Sequence, residues 1–261
     1  MTSTPPARPV VVITGASSGI GAALAARLAP THHLVLVARR PDALRALAQS
    51  LGAATVVTVA ADVTVRSQVD DVVETALAQF SRLDVWVNNV GRGITRAPSQ
   101  LTDDDIDDMM RVNVKSALYG MQAVLPHFQL VGRGHVVNVS SMLGRVPMAT
   151  FRSAYSASKH FLNALTANMR TEVQETHPDI QFSLVSPGVV RTEFGANALH
   201  GGPDSRTLPN SQSADEVADV IAQVIADRRP DVYTREGMAE MAVTYLKELG
   251  QDHRRRNVTP I

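Results

Sequence analysis

A phenol and an ammonium lie four positions apart at Tyr155 and Lys159, in the run Tyr155-Ser156-Ala157-Ser158-Lys159. The small residues between them and the apolar Phe161, Leu162, Leu165 and Met169 beyond predict a helix, in which that spacing puts both side chains on one face. A lysine charge beside a tyrosine stabilises the phenolate, so the phenol is expected to fall from its ordinary pKa of about 10 toward working pH. Such a group can both give and take a proton.

The elements that position this pair alternate in type along the chain. A β-branched run over 10–13 predicts a strand, followed by the turn Thr14-Gly15-Ala16-Ser17-Ser18-Gly19-Ile20-Gly21 and a helix carrying Ala22, Leu24, Ala25 and Leu28. Backbone N–H groups at a helix amino end, free of Cβ atoms, can approach a phosphate, so the turn is expected to seat a pyrophosphate, with tight packing as its alternative. Its glycine spacing is not that of the common dinucleotide fingerprint. A second strand over 34–38 ends in Arg39-Arg40, with no acid at its tip. In a nucleotide fold that tip meets the adenosine ribose, where arginine suits a 2′-phosphate; the charge favours NADP (NADPH) over NAD.

Helices are expected over 42–51 and 65–80, and a third strand over 55–60 with Asp62 and Val63 just past its end. A fourth strand over 83–87 leads into Asn88-Asn89-Val90-Gly91. Asp103, Asp104, Asp105, Asp107 and Asp108 could be mistaken for a metal site. They read instead as a helix's first turn, with Thr102 and Asp105 forming a capping box. That helix is expected to continue through Met109, Val112, Val114, Leu118, Met121, Val124 and Leu125, with Asn113 inside it. Strands over 135–139 and 180–185 deliver Ser140-Ser141 and Ser186-Pro187-Gly188-Val189-Val190-Arg191-Thr192. Residues 195–212 read as a mobile substrate lid, 214–226 and 238–249 as helices, and 231–234 as a seventh strand.

The pattern predicts an α/β chain, a Rossmann-like doubly wound parallel sheet of seven strands with helices on both faces. We expect one nucleotide-binding domain over 1–261, with flexible tails at 1–8 and 250–261. Lys+Arg 25 against Asp+Glu 25 gives no basic footprint for nucleic acid or a membrane surface. Cys 0 excludes disulfides and thiolate metal sites, and the polar, Pro-rich start has no signal-like stretch, so the cytoplasm is expected. No paired metal spacing and no Gly-x-Ser-x-Gly hydrolase turn occurs.

On Thr14-Gly15-x-x-x-Gly19-x-Gly21, Asp62-Val63, Asn88-Asn89-Val90-Gly91, Asn113, Ser141, Tyr155-x-x-x-Lys159 and Pro187-Gly188-x-x-x-Thr192, the chain resembles the short-chain dehydrogenase/reductase family, in its compact single-domain branch. The resemblance implies an NADP-dependent oxidoreductase interconverting a ketone or aldehyde and an alcohol by hydride transfer. In it Tyr155 is the general acid/base, Ser141 binds the reacting oxygen, Lys159 binds the nicotinamide ribose, and Asn113 holds a water on the proton path. It implies Gly15, Ser17, Gly19, Ile20 and Gly21 at the phosphates, and Arg39 and Arg40 at the 2′-phosphate. Asp62 and Val63 would meet adenine, Asn88 and Gly91 the adjacent ribose and sheet edge, and Val190 and Thr192, after Pro187 and Gly188, the carboxamide. Val90 stands where the family usually has alanine. Ser141 precedes Tyr155 by fourteen residues, one more than the commonest family spacing, and Ser140 is its alternative on the opposite strand face. A homodimer or homotetramer is implied.

Ile94, Met142, Leu143, Val146, Met148, Phe151 and Phe194 suggest apolar walls for a small, lipophilic carbonyl substrate, and Arg92, Arg145 and Arg191 read as solvated charges, with contact to an acidic substrate group as the alternative. A non-catalytic NADP sensor or scaffold is the competing reading.

Overall fold

In a computed structural model, which describes residues 8–52 and 55–249, the valine-rich runs pair side by side. Of the tails anticipated at 1–8 and 250–261, all but Arg8 lies outside the described residues. β1 (Val10–Thr14) lies between β2 (His33–Ala38) and β4 (Val85–Asn88). β3 (Val56–Ala60) flanks β2, while β5 (Gly134–Val139), β6 (Ile180–Ser186) and β7 (Asp231–Tyr233) follow β4 in turn. All six pairings are parallel, which gives the expected doubly wound sheet of seven strands.

Parallel strands bury both faces, and the alternation in β1 shows it. Val11 and Ile13 join one core with Leu24 and Leu28 of α1 (Gly19–Leu28), Leu44 of α2 (Pro41–Ser50), and Val217, Ile221 and Val224 of α7 (Ala214–Asp227). Val10 and Val12 join the other. There they meet Val69 and Val72 of α3 (Arg66–Phe80), Met121, Val124 and Phe128 of α5 (Ser116–Val131), and Val173 of α6 (Ser153–Gln174). Strand order reverses between β1 and β4, so the two halves of the sheet part at their carboxyl ends and leave a crevice there.

The acidic cluster opens α4 (Asp103–Met110), and the capping box is present: Thr102 accepts from the Asp105 N–H, and the Asp105 carboxylate accepts from the Thr102 N–H. The continuous helix expected beyond it is interrupted. Arg111–Lys115 forms a wider π turn before α5 resumes, with Asn113 in its middle and fully buried. One extra residue in a helical turn hardly changes the apolar pattern, so periodicity passes over it.

Residues 195–212 form no regular element, yet they are tied down. Leu199 pairs with Ile94, Thr95 Oγ1 donates to the Gly201 carbonyl at 2.6 Å, and His200 Nε2 meets Asp105 Oδ1 at 2.7 Å. α8 (Met238–Lys247) is the last element among the described residues, its Met238 packed against Met142 and Val146. No helix among the described residues is long and apolar enough to cross a membrane.

Candidate active site

α6 starts at the mouth of the crevice and carries Tyr155 in its first turn and Lys159 one turn on, at 6% and 3% exposure. The Tyr155 hydroxyl lies beside Ser141, which sits just beyond β5 and accepts from the Leu143 N–H at 3.1 Å. The neighbouring serine turns the other way, as strand alternation requires. Ser140 Oγ donates to Asn163 Oδ1, and Asn163 Nδ2 donates to the Gly144 carbonyl. Ser140 thus fastens α6, and Ser141 faces the phenol.

Lys159 Nζ donates to the Val139 carbonyl at 2.9 Å and stands 5.8 Å from the centre of the Tyr155 ring. The lowered phenol pKa anticipated from this pairing is not what the structure holds. Burial raises Tyr155 to about 12, against the pull of the Ser141 hydrogen bond and the Arg152 charge, and burial lowers Lys159 to about 8. Both charged forms lose water in the interior, and spacing along a sequence carries no measure of depth.

Asn113 is gripped by the loop after β4. Its Oδ1 accepts from the Arg92 N–H at 2.8 Å, and its Nδ2 donates to the Arg92 carbonyl at 2.9 Å and to Ser158 Oγ at 3.2 Å. Gly91 passes between the two polar groups behind it. A Cβ on Gly91 would lie 3.3 Å from Asn113 Oδ1 and 3.5 Å from Lys159 Nζ.

A cleft of about 1970 Å³ joins these groups to the glycine turn. Gly15, Ser17, Gly19 and Ile20 line one end, Arg39, Arg40, Asp62 and Val63 follow, and Gly91, Ser141, Tyr155, Lys159, Pro187, Gly188, Val190 and Thr192 line the other. Gly21 lies beneath: a Cβ there would come within 2.4 Å of the Gly15 carbonyl oxygen, so this glycine lets α1 close on the turn. Gly15 itself has φ +66°, a backbone region that glycine adopts freely. This cradle at the start of α1 fits a pyrophosphate, and the cleft running from it to Tyr155 has room for a dinucleotide.

Asn88, expected at the cofactor, is turned inward instead. It accepts from Trp86 Nε1 at 2.7 Å and donates to Asn138 Oδ1 at 2.8 Å in a buried network. Asn89 takes the cleft side, its Nδ2 donating to the Thr14 carbonyl at 3.1 Å. Alternation along β4 is the signal that could have found it, since Asn88 shares a face with the buried Trp86.

Asp62 is anchored by Thr64, whose N–H and Oγ1 donate to it at 2.9 and 2.8 Å. Burial raises its carboxyl, but these donors and the nearby Arg39 and Arg111 outweigh that and hold it below the usual range. Arg40 Nη2 donates to Ser17 Oγ at 3.3 Å, across from the glycine turn.

The substrate half is walled by Met142, Leu143, Val146, Met148, Phe151 and Phe194. Phe194 meets Tyr155 edge to face, ring centres 5.4 Å apart, with Ile94 packed behind. Of the arginines read as solvated, Arg92 pairs with Asp108 at 3.3 Å, Arg145 pairs with Asp231, and Arg191 is exposed.

Residues 9–201 match the family model for the short chain dehydrogenases. An uncharacterized oxidoreductase of Staphylococcus epidermidis is 34% identical over 218 residues, which cover 82% of this chain and 91% of the relative. A short-chain dehydrogenase from Sphingobium yanoikuyae, solved in complex with NADPH, is 30% identical, with a TM-score of 0.77 over 96% of this chain and 99% of that one. A short chain dehydrogenase/reductase from Burkholderia phymatum in complex with NAD has the same fold at 24% identity, with a TM-score of 0.85 over 97% of this chain and 98% of that one.

Proposed function

The chain belongs to the short-chain dehydrogenase family and is an NAD(P)-dependent oxidoreductase; from that premise we propose that it uses NADP to interconvert a ketone or aldehyde and an alcohol, with Tyr155 as general acid/base. The observation that carries the reading is that Ser141, Tyr155 and, one helical turn on, Lys159 line the same cleft as the glycine turn.

The nicotinamide, when bound, supplies or accepts the hydride. Gly15, Ser17, Gly19 and Ile20 would hold the pyrophosphate, Asp62 and Val63 the adenine, and Val190 and Thr192 the carboxamide. Lys159 would hold the ribose hydroxyls next to it. Ser141 orients the carbonyl oxygen, and Tyr155 Oη gives it a proton in reduction and takes one back in oxidation. Asn113 and Lys159, on either side of Gly91, would lead the replacement proton toward the phenol.

NADP is favoured because the tip of β2 offers Arg39 and Arg40 and no carboxylate, and a guanidinium fork suits a phosphate. Arg39→Asp is expected to weaken NADPH binding by roughly 10- to 100-fold, the worth of a charged hydrogen bond, and NADH binding far less. Titration with both cofactors reads this directly, and equal losses would refute the phosphate role.

The activity itself is tested by following NADPH oxidation against a panel of lipophilic ketones, aldehydes and oxo acids, with NADPH binding measured alongside. Binding without oxidation of any of them would return the sensor reading. We also place the protein in the cytoplasm, on its cysteine-free sequence, and as a homo-oligomer, on the half-exposed Phe161 of α6 and the exposed Leu130 of α5. A fluorescent fusion found outside the cytoplasm would remove the first placement, and a monomeric sedimentation mass at micromolar concentration the second.

A further inference from the structure

The substrate half of the cleft holds a guanidinium that the chemistry above leaves unused. Arg152 caps α6 one turn before Tyr155, lines the cleft and is 8% exposed. Its side chain makes one hydrogen bond, from Nη1 to the Ile94 carbonyl at 3.2 Å, and its guanidinium carbon lies 5.4 Å from the centre of the Phe151 ring. None of its other donors is among the buried, unpartnered atoms, and the fork lies close to two glycines: a Cβ on Gly93 would come within 2.7 Å of Nη1 and one on Gly202 within 3.0 Å of Nη2. Neighbouring arginines are committed: Arg92 to Asp108, Arg96 to Asp105 and Arg206 to Asp204. No ion pair among the described residues includes Arg152; the acid group that acts on it is the phenol of Tyr155, and only when ionised.

A cation withdrawn from water without a counter-charge is costly, and a guanidinium fork matches a carboxylate through two parallel bonds. The amino end of the long helix α6 adds positive potential at the same place. We infer that Arg152 reads a carboxylate on the substrate, so that the enzyme acts on oxo acids in preference to neutral ketones. This rests on Tyr155 as the group that meets the carbonyl. Arg152 caps α6 just before Tyr155 and both line the cleft, so acids that carry the carboxylate near the carbonyl, the 2-oxo to 4-oxo acids, are the substrates to test. The apolar Met142, Leu143 and Phe194 then take the remainder of the molecule.

The test compares 2-oxo-4-phenylbutanoate with its ethyl ester, and 4-oxo-4-phenylbutanoate with its methyl ester, as substrates of the full-length protein with NADPH. The parent is expected to prefer at least one acid over its ester by about 10-fold or more in kcat/KM, the scale of a charge-assisted bond. Arg152→Gln is expected to lower that acid-to-ester ratio by about 10-fold or more, through KM for the acid, and Arg152→Lys to restore part of it. Whatever the substitution does to Tyr155 it does to acid and ester alike, so the ratio isolates the ion pair. Equal use of acid and ester by the parent, or a parallel loss of both in Arg152→Gln, would overturn the inference and leave Arg152 a strut for the Ile94 loop. Should Arg152→Gln not fold, the parent's ratio and Arg152→Lys decide. Should neither acid nor ester be reduced, calorimetric titration of 4-phenylbutanoate into the NADPH complex separates the two readings. Binding that Arg152→Gln or Arg152→Lys weakens sustains the carboxylate role while carbonyl reduction fails, and no binding, or binding that neither substitution weakens, defeats the carboxylate role itself.

Discussion

Tyr155→Phe is expected to lower kcat by about 10²- to 10⁴-fold, the usual contribution of a positioned acid or base, with NADPH affinity nearly unchanged. The substitution keeps the ring that packs against Phe194 and Ile94 and removes only the hydroxyl. Ser141 keeps the Leu143 N–H as its partner, so the fold survives. The pH profile should separate the two directions. With the phenol pushed up to about 12 by burial, Tyr155 carries its proton at neutral pH in the cofactor-free protein. Alcohol oxidation, which needs the phenolate, should rise with pH, and carbonyl reduction should not. Steady-state rates in both directions from pH 6 to 10 check this, and a phenylalanine variant as fast as the parent would leave the proton donor unassigned.

Lys159→Met is expected to slow turnover by two orders of magnitude or more, by the same reckoning, and also to make the cofactor-free protein more stable relative to the parent at neutral pH. The sign follows from the direction of the shift. Burial lowers the Lys159 amine from its ordinary value of 10.5 to about 8, so folding favours the neutral form. That contribution is fully present above 10.5 and is lost as pH falls through 8. Below it the parent carries a buried charge that methionine lacks, on the order of 3 kcal/mol if the whole shift is expressed. Thermal melts at pH 7 and pH 10.5 should therefore show the melting-temperature gap, variant minus parent, larger at pH 7. A gap that does not change with pH would mean the amine is not titrating between those values.

The sheet was legible because its strands are short valine-rich runs, each ending in a turn, and because β-branched residues with no polar alternation mark strands covered on both sides. The glycine turn and Tyr155-x-x-x-Lys159 were legible for the same kind of reason, local spacing. What failed to show was depth and direction. Asn88 and Asn89 are adjacent, and only alternation past Trp86 says which one faces the cleft. Asn113 looked like one more position in a helix, though it sits in a widened turn. Arg152 was passed over because a chain with this many arginines offers no way to tell a solvated one from a buried one until the Ile94 loop is seen lying across it.

One strand end explains why an unusual chain length between Ser141 and Tyr155 does no harm. α6 is fastened straight to the end of β5 by Ser140 on Asn163 and by Lys159 on the Val139 carbonyl, with Ser156 Oγ tied to Leu143. The spacing of the Ser141 and Tyr155 hydroxyls is thus set by these ties and does not pass through residues 145–151, which carry none of them. That connection is consequently free to gain or lose residues, and to differ between relatives that handle different molecules, without detuning the proton transfer beside it.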